Sequence, residues 1–364
     1  VTIRGGIFES SGFKLGAVAL YDPQTGHYFA EIPVSPAMLG APRVLTGADH
    51  AMAGFNASVG TIGYAWKRIV PGGTLSAAVG DHGFERQSAY VAGVRKATRG
   101  GASWAADAEW TRSSSDGTVP FGDHDFQRVG ARLQAVTAAG QTDFYAGYQA
   151  KFFGWPNLYT PFGFNETENL QTVLVAANHR QQSADGSYWE AGAYYRRNKD
   201  DYEFNRAVPG ASNPFLHTTW VRAAALEGRR QLADAAVDYR VSAMSDDLRS
   251  TSLTVGPPGS RTYVKAALAG ERTIRRTEGA WILRAGVTCD DSDAADPAFS
   301  PLAVVEWRAP NGARSWLEYS AATQLPTYTA LKSSATSGLF RGNPALGRET
   351  SRNLEWGFSR RLIG

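Results

Sequence analysis

The chain has 364 residues, a formal net charge of +3 and 43% hydrophobic residues. No run approaches the roughly 20 apolar residues of a helical membrane span, so helical insertion is excluded. The negative mean hydropathy leaves a β-barrel open, because lipid-facing and lumen-facing residues average out along a strand.

Basic residues are scattered, which argues against a nucleic-acid footprint. The single cysteine, Cys289, removes intramolecular disulfides and cysteine metal sites. No initiating methionine or apolar leader precedes Val1, and Arg360-Arg361-Leu362-Ile363-Gly364 stops inside a strand-like segment. A chain trimmed at both ends is therefore expected.

Residues 1–70 show no regular hairpin rhythm, whereas 71–364 do, which suggests two domains. About 14 strands are expected: 74–80, 88–98, 102–112, 126–138, 141–151, 170–182, 187–197, 217–228, 231–245, 262–272, 279–289, 300–309, 313–321 and 350–361. Tight turns are expected at Gly72-Gly73, Gly100-Gly101, Ala139-Gly140, Asp185-Gly186, Glu278-Gly279 and Asn311-Gly312, with a less clear one at Gly228-Arg229-Arg230. Between them lie long polar connections, at 81–87, 112–125, 152–169, 198–216, 246–261, 290–299 and 322–349. Short turns on one side and long loops on the other are the asymmetry of outer-membrane barrels.

The strands alternate with period two. In 232–244, Ala233, Ala235, Val237, Tyr239, Val241 and Ala243 share one face, and Asp234, Asp238, Arg240 and Ser242 the other. Trp104, Ala106, Ala108 and Trp110 oppose Asp107, Glu109 and Thr111 in the same way, and Trp281, Leu283, Ala285 and Val287 oppose Arg284 and Thr288. A soluble sandwich, barrel or propeller would alternate too. The many Ala and Gly on the apolar faces, and the Trp and Tyr near strand ends, favour a lipid-facing wall with an interfacial girdle.

Several motifs carry a resemblance. Ile3-Arg4-Gly5-Gly6, Asp22-Pro23-Gln24-Thr25-Gly26-His27, and Val44-Leu45-Thr46-Gly47 followed by Gly54, Ala57, Gly60 and Ile62 resemble the plug of TonB-dependent outer-membrane receptors of the vitamin B12 and siderophore kind. The chain departs from that pattern in Leu15-Gly16-Ala17-Val18, Arg43, Ala53 and Val59. Phe153-Gly154 through Tyr159, then Phe162-Gly163-Phe164-Asn165-Glu166-Thr167-Glu168, is similar to a barrel loop of the same family. The most specific match is Leu325-Pro326-Thr327-Tyr328 with Leu331, then Gly342-Asn343-Pro344-Ala345-Leu346 with Glu349, Ser351, Asn353, Glu355 and Gly357.

The resemblance implies an all-β fold: an antiparallel transmembrane barrel of roughly 22 strands, of which about 14 are present, with the C-terminal part of a plug in 1–70. It further implies an outer-membrane location, a TonB-type energy transducer as partner, and import of a scarce chelate such as cobalamin or an iron-siderophore. The binding box for the transducer would lie before Val1. No cofactor and no nucleic-acid partner are expected, and the protein is expected to be monomeric in outer-membrane lipid. A passive porin or adhesin barrel is the alternative, and it would lack the plug motifs.

No nucleophile elbow, P-loop, dinucleotide fingerprint or HExxH spacing is present, so the reading is of a non-enzyme. Candidate ligand contacts are Gln24, Thr25, His27 and Tyr28 in the plug, and Trp155, Tyr159, Phe162 and Phe164 in a loop, where rings offer contact area at low entropy cost. The alternative is that those aromatics order the loops or form the interfacial girdle. Asp123 and Asp125, and Asp290, Asp291 and Asp293, are weak calcium candidates.

Overall fold

The computed structural model describes residues 3, 5–6, 8–26, 32–97, 101–211, 215–254, 259–333 and 341–360. Two sheets organise them. The smaller has the strand order β2-β1-β4-β3 and is built from β1 (Ser11–Leu15), β2 (Val18–Leu20), β3 (Arg43–Leu45) and β4 (Gly60–Tyr64). Strands β1 and β2 form a hairpin closed at Gly16, whose φ of 58° favours glycine. Strand β4 adds parallel to β1, after helix α1 (Gly47–Ala53) has carried the chain across.

The larger sheet holds 14 antiparallel strands, each paired only with its neighbours in sequence. They are β5 (Gly72–Val79), β6 (Glu85–Arg95), β7 (Ser103–Ser115), β8 (His124–Val136), β9 (Gly140–Pro156), β10 (Asn165–Gln182) and β11 (Tyr188–Glu203). The second half is β12 (Phe215–Gln231), β13 (Ala235–Ser250), β14 (Gly259–Arg276), β15 (Gly279–Ser292), β16 (Ala295–Arg308), β17 (Arg314–Gln324) and β18 (Glu349–Ser359). The sheet is open, with β5 and β18 as its two edges.

This wall curves round the small sheet. Phe13, Leu15, Val18, Met38 and Trp66 of residues 11–66 share one buried cluster with Tyr145, Leu174, Tyr194, Val221 and Met244 of the wall. The wall's own polarity is inverted relative to a soluble protein. Arg132, Gln134, Glu168, Asn198, Asp200 and Arg240 are buried on its inner face, while Val129, Leu133, Val175, Val241 and Leu268 are exposed on its outer face. Apolar burial is the main driving force for folding in water, so this distribution is stable only if hydrocarbon covers the outside.

The dimensions agree with that reading. On β15 the outward set runs from Trp281 to Cys289, eight steps of about 3.3 Å or roughly 26 Å along a strand. Tilt brings this close to the ~25 Å apolar band of a membrane barrel. Outward Trp104, Trp189, Trp281 and Trp356 are exposed near the short-turn end, and Trp281 and Trp307 stack with centroids 5.0 Å apart. This is a girdle at one interface.

Four sequence expectations need correction or completion. Gly72 and Gly73 lie inside β5 rather than in a turn, and the unclear turn falls at Leu232-Ala233-Asp234, after β12 has run on to Gln231. The loops are shorter than expected: β9 and β10 pair up to Pro156 and Asn165, and only 293–294 separate β15 from β16. The reason is that hairpins continue above the apolar belt, where polar residues on both faces hide the alternation. Arg4, Gly100 and 361–364 lie outside the described residues.

Helix α1 supplies two predictions. Its His50 is buried, accepting from Thr61 Oγ1 at Nδ1 (2.9 Å) and donating from Nε2 to the Ala57 carbonyl (3.1 Å). Burial, with Lys265 nearby, pushes its pKa down to about 4. The folded state thus holds His50 neutral, whereas the unfolded chain takes up a proton below about 6.5. Stability is full above pH 6.5 and falls by about 3 kcal/mol as the pH drops toward 4. Denaturation across that range, compared with His50→Gln, measures the slope.

Gly47, the first residue of α1, has φ 56° and faces Glu318, whose Oε1 lies 1.5 Å from where a Cβ would sit. Gly47→Ala is expected to cost about 1–2 kcal/mol from the left-handed backbone alone. Equilibrium unfolding checks the loss, and an equal cost in Glu318→Ala/Gly47→Ala would show that backbone and not crowding dominates.

Candidate ligand site at the plug apex

The loop after β2 turns back on itself around one carboxylate. Asp22 Oδ2 accepts from Thr25 N (3.1 Å), Thr25 Oγ1 (3.2 Å) and Gly26 N (3.0 Å), an Asx-type turn closed by Gly26 at φ 74°. This fixes the next side chain outward: Gln24 Nε2 donates to Asp200 Oδ2 of β11 (2.6 Å). Arg196 Nη1 on the same strand donates to the Tyr21 carbonyl (3.1 Å). The Tyr21 ring meets Phe55 and Tyr263 edge-on at 6.0 and 5.9 Å, and burial pushes its hydroxyl up to about 12.

The β9–β10 loop is ordered by β10. Glu166 accepts from Tyr159 N (2.6 Å) and Thr160 N (3.1 Å), and Glu168 accepts from the Tyr159 hydroxyl. Tyr159 stacks on Tyr202 at 5.5 Å, and Phe164 on Phe204 at 4.4 Å. Two of the four loop aromatics thus hold the loop together. Trp155 and Phe162 are 45% and 67% exposed, and Tyr159 keeps 38% exposure.

Gln24 and Tyr159 are brought together. Their acceptors, Asp200 and Glu168, are diagonal neighbours on the inner faces of β11 and β10. Thr25 serves the turn through Asp22, and His27 and Tyr28 lie outside the described residues.

Neither a family model nor a curated protein sequence matches the chain. Solved structures do. All of the chain aligns with 66% of the siderophore receptor PirA from Pseudomonas aeruginosa, at 16% identity and a TM-score of 0.73. The ferric enterobactin receptor PfeA from the same organism aligns at 14% identity and TM-score 0.72, covering 98% of this chain and 62% of that one. FauA, the alcaligin outer-membrane receptor from Bordetella pertussis, gives 12% identity and TM-score 0.66 over 98% of this chain and 59% of its own. The fold is that of an outer-membrane siderophore receptor. The chain spans less than two thirds of the length of these solved receptors.

In this receptor fold the small sheet is the plug and the 14 strands are barrel wall. The calcium candidates are dispersed over it. Asp123 pairs with Arg206, Asp125 with Arg112 (3.2 Å) and Asp290 with Lys265 (3.3 Å), while Asp293 accepts from Thr262 N (3.0 Å). Asp291 is exposed. Among the described residues no group of three or more His, Cys, Asp or Glu is placed to hold a metal ion.

Asp22 was visible in the apical motif, whereas Asp200, Asp246, Arg261 and Tyr263 were not among the candidates. All lie buried where plug and wall meet. The available signal was the row of acidic and aromatic residues at inward positions of strands that outrun the apolar belt.

At the opposite, short-turn end, a polar cavity of about 1040 Å³ lies between the plug and the wall, lined by Lys14, Asp49, Glu227, Arg229, Arg284 and Glu355 among others.

Proposed function

We propose that this chain belongs to a receptor for energised import of a large, scarce chelate across the outer membrane of a Gram-negative-type bacterium. The 1–70 segment is its plug and 71–364 is barrel wall. The observation that carries the proposal is the plug sheet packed into the polar concave face of a wall whose convex face is apolar. An open pore would need no such filling, which disfavours the porin or adhesin reading.

The solved neighbours are receptors for siderophores, so a ferric chelate is the ligand class best supported. Trp155 at the end of β9 and Phe162 in the β9–β10 loop, with Gln24 at the apex, are the proposed contacts, and a TonB-type transducer is the proposed partner. The protein acts as a monomeric transporter and not as an enzyme, and the cavity of about 1040 Å³ gives the ligand room on the periplasmic side once the plug shifts.

The test is uptake of radioactive ferric chelates by cells whose only receptor is the full-length protein. Uptake should saturate, and should stop when the transducer is deleted or the proton-motive force is collapsed. Uptake that persists without energy would establish the passive reading instead.

A further inference from the structure

The β17–β18 connection does not simply rise into solvent. From Gln324, the last residue of β17, to Ser333 the chain crosses the mouth of the wall and touches the plug at successive points. Gln324 Nε2 donates to the Glu9 carbonyl (2.6 Å). The Asn56 side chain then acts as a strand partner for Leu325, donating to its carbonyl (3.1 Å) and accepting from its N–H (2.7 Å). Farther on, Tyr328 N and Thr329 N donate to the carbonyls of Pro23 and Gln24, each at 2.9 Å. Those are backbone bonds to the plug apex itself.

The far end is tied to a different part of the wall. Helix α2 (Tyr328–Lys332), capped by Thr327 Oγ1, ends where Thr254 N and Oγ1 donate to the Lys332 carbonyl (3.0 and 2.9 Å). The segment therefore runs from β17 to the β13–β14 loop, past the hairpin at 293–294, the shortest of the wall's long-loop side. Gly342 sits where a Cβ would meet Ser333 N at 2.6 Å, and Asn343 N donates to the Ala330 carbonyl (2.8 Å). The glycine-asparagine motif is thus the return half of the same structure.

One side chain joins all three parts. Arg261, on the inner face of β14, donates to the carbonyls of Pro326 (2.8 Å) and Pro23 (3.3 Å), and its guanidinium lies 3.7 Å from the centroid of the Tyr328 ring. Asp246 completes the clasp, accepting from the hydroxyls of Tyr328 and Tyr263 at 2.9 Å each. A rigid planar fork of donors suits this bridging better than a compact ammonium does.

We propose that residues 324–333 are a strap that locks the plug apex to the barrel wall, with Arg261 as its clasp, so that the apex moves only when the strap lifts. The strap turns a surface loop into a hold on the plug. A loop displaced at its outer end pulls directly on the carbonyls of Pro23 and Gln24.

Amide hydrogen exchange on the full-length protein, in lipid and without ligand or transducer, tests this. It reads the lock independently of import, so the strap can fail while the transport reading stands. In the wild type, peptides covering 324–333 and 21–26 should both be protected. Arg261→Met should speed exchange in both peptides together by at least tenfold, with Arg261→Lys recovering only part. Arg249→Met, whose side chain lies over Trp220 on the outer face, should change neither. Asn56→Ala, a plug substitution that leaves the wall intact, should loosen the same two peptides. The proposal is overturned if the strap peptide loosens while the apex keeps its protection, or if neither peptide responds to either variant.

Discussion

Arg132→Met is expected to destabilise the protein by about 3–5 kcal/mol, the cost of leaving buried partner charges uncompensated. Arg132 lies on β8 with its side chain 1% exposed, paired to Asp107 Oδ2 at 2.7 Å and Asp143 Oδ1 at 3.4 Å, both equally sequestered. It also donates to the carbonyls of Lys67 (2.8 Å) and Met38 (3.2 Å). Gln134 and Gln141 reinforce the seam: Ile69 N donates to Gln134 Oε1 (2.9 Å), and Gln141 Nε2 to the Trp66 carbonyl (3.2 Å). One guanidinium thus pairs with two wall carboxylates and anchors the chain where it leaves the plug. Replacing Asp107 and Asp143 by Asn in the Arg132→Met background should recover much of the loss, because the penalty belongs to the stranded charges. Urea unfolding of the three proteins in lipid gives the comparison, and a loss under 1 kcal/mol for the single variant would mean that water reaches this seam.

Leu268→Arg should cost about 2–4 kcal/mol, as a cation at the middle of the lipid face of a barrel does, whereas Ser260→Arg near the loop end of the same strand face should cost about 0–1 kcal/mol. Leu268 is 56% exposed and stands between Tyr239 and Val287 on the outer face. At such exposure in a water-soluble protein, arginine would be nearly neutral. The depth dependence therefore separates lipid from water as the outer solvent. Equal costs at both positions would contradict a transmembrane wall.

Much of the wall was legible because Ala, Val, Leu and Trp alternate with Asp, Glu, Arg and Thr wherever lipid and lumen face opposite sides of one strand. Residues 235–243 and 281–288 are examples, and glycines such as Gly186 and Gly312, at φ 86° and 79°, mark turns that demand them. Legibility failed above the belt. Where β10 and β11 continue as Asn165-Glu166-Thr167-Glu168 and Lys199-Asp200-Asp201, both faces are polar and the sequence resembles loop. The site was half legible for the same reason. Gln24 and Tyr159 were visible as loop residues, but the carboxylates that hold them, Asp200 and Glu168, come from distant strands and meet only through register. The strap shows the complementary case: Leu325-Pro326-Thr327-Tyr328 was recognisable as a motif, while its contacts with Asn56, Pro23 and Arg261 depend on three-dimensional closure.

The central claim, a membrane wall folded round a plug, is tested most directly by spin labels placed singly at 236–244 of β13 in the bilayer-embedded protein. Outward positions 237, 239, 241 and 243 should be open to lipid-soluble oxygen and closed to a water-soluble nickel complex, while 238, 240 and 242 should be shielded from the oxygen. Access of the nickel complex to the outward set, or loss of the two-residue alternation, would contradict the account.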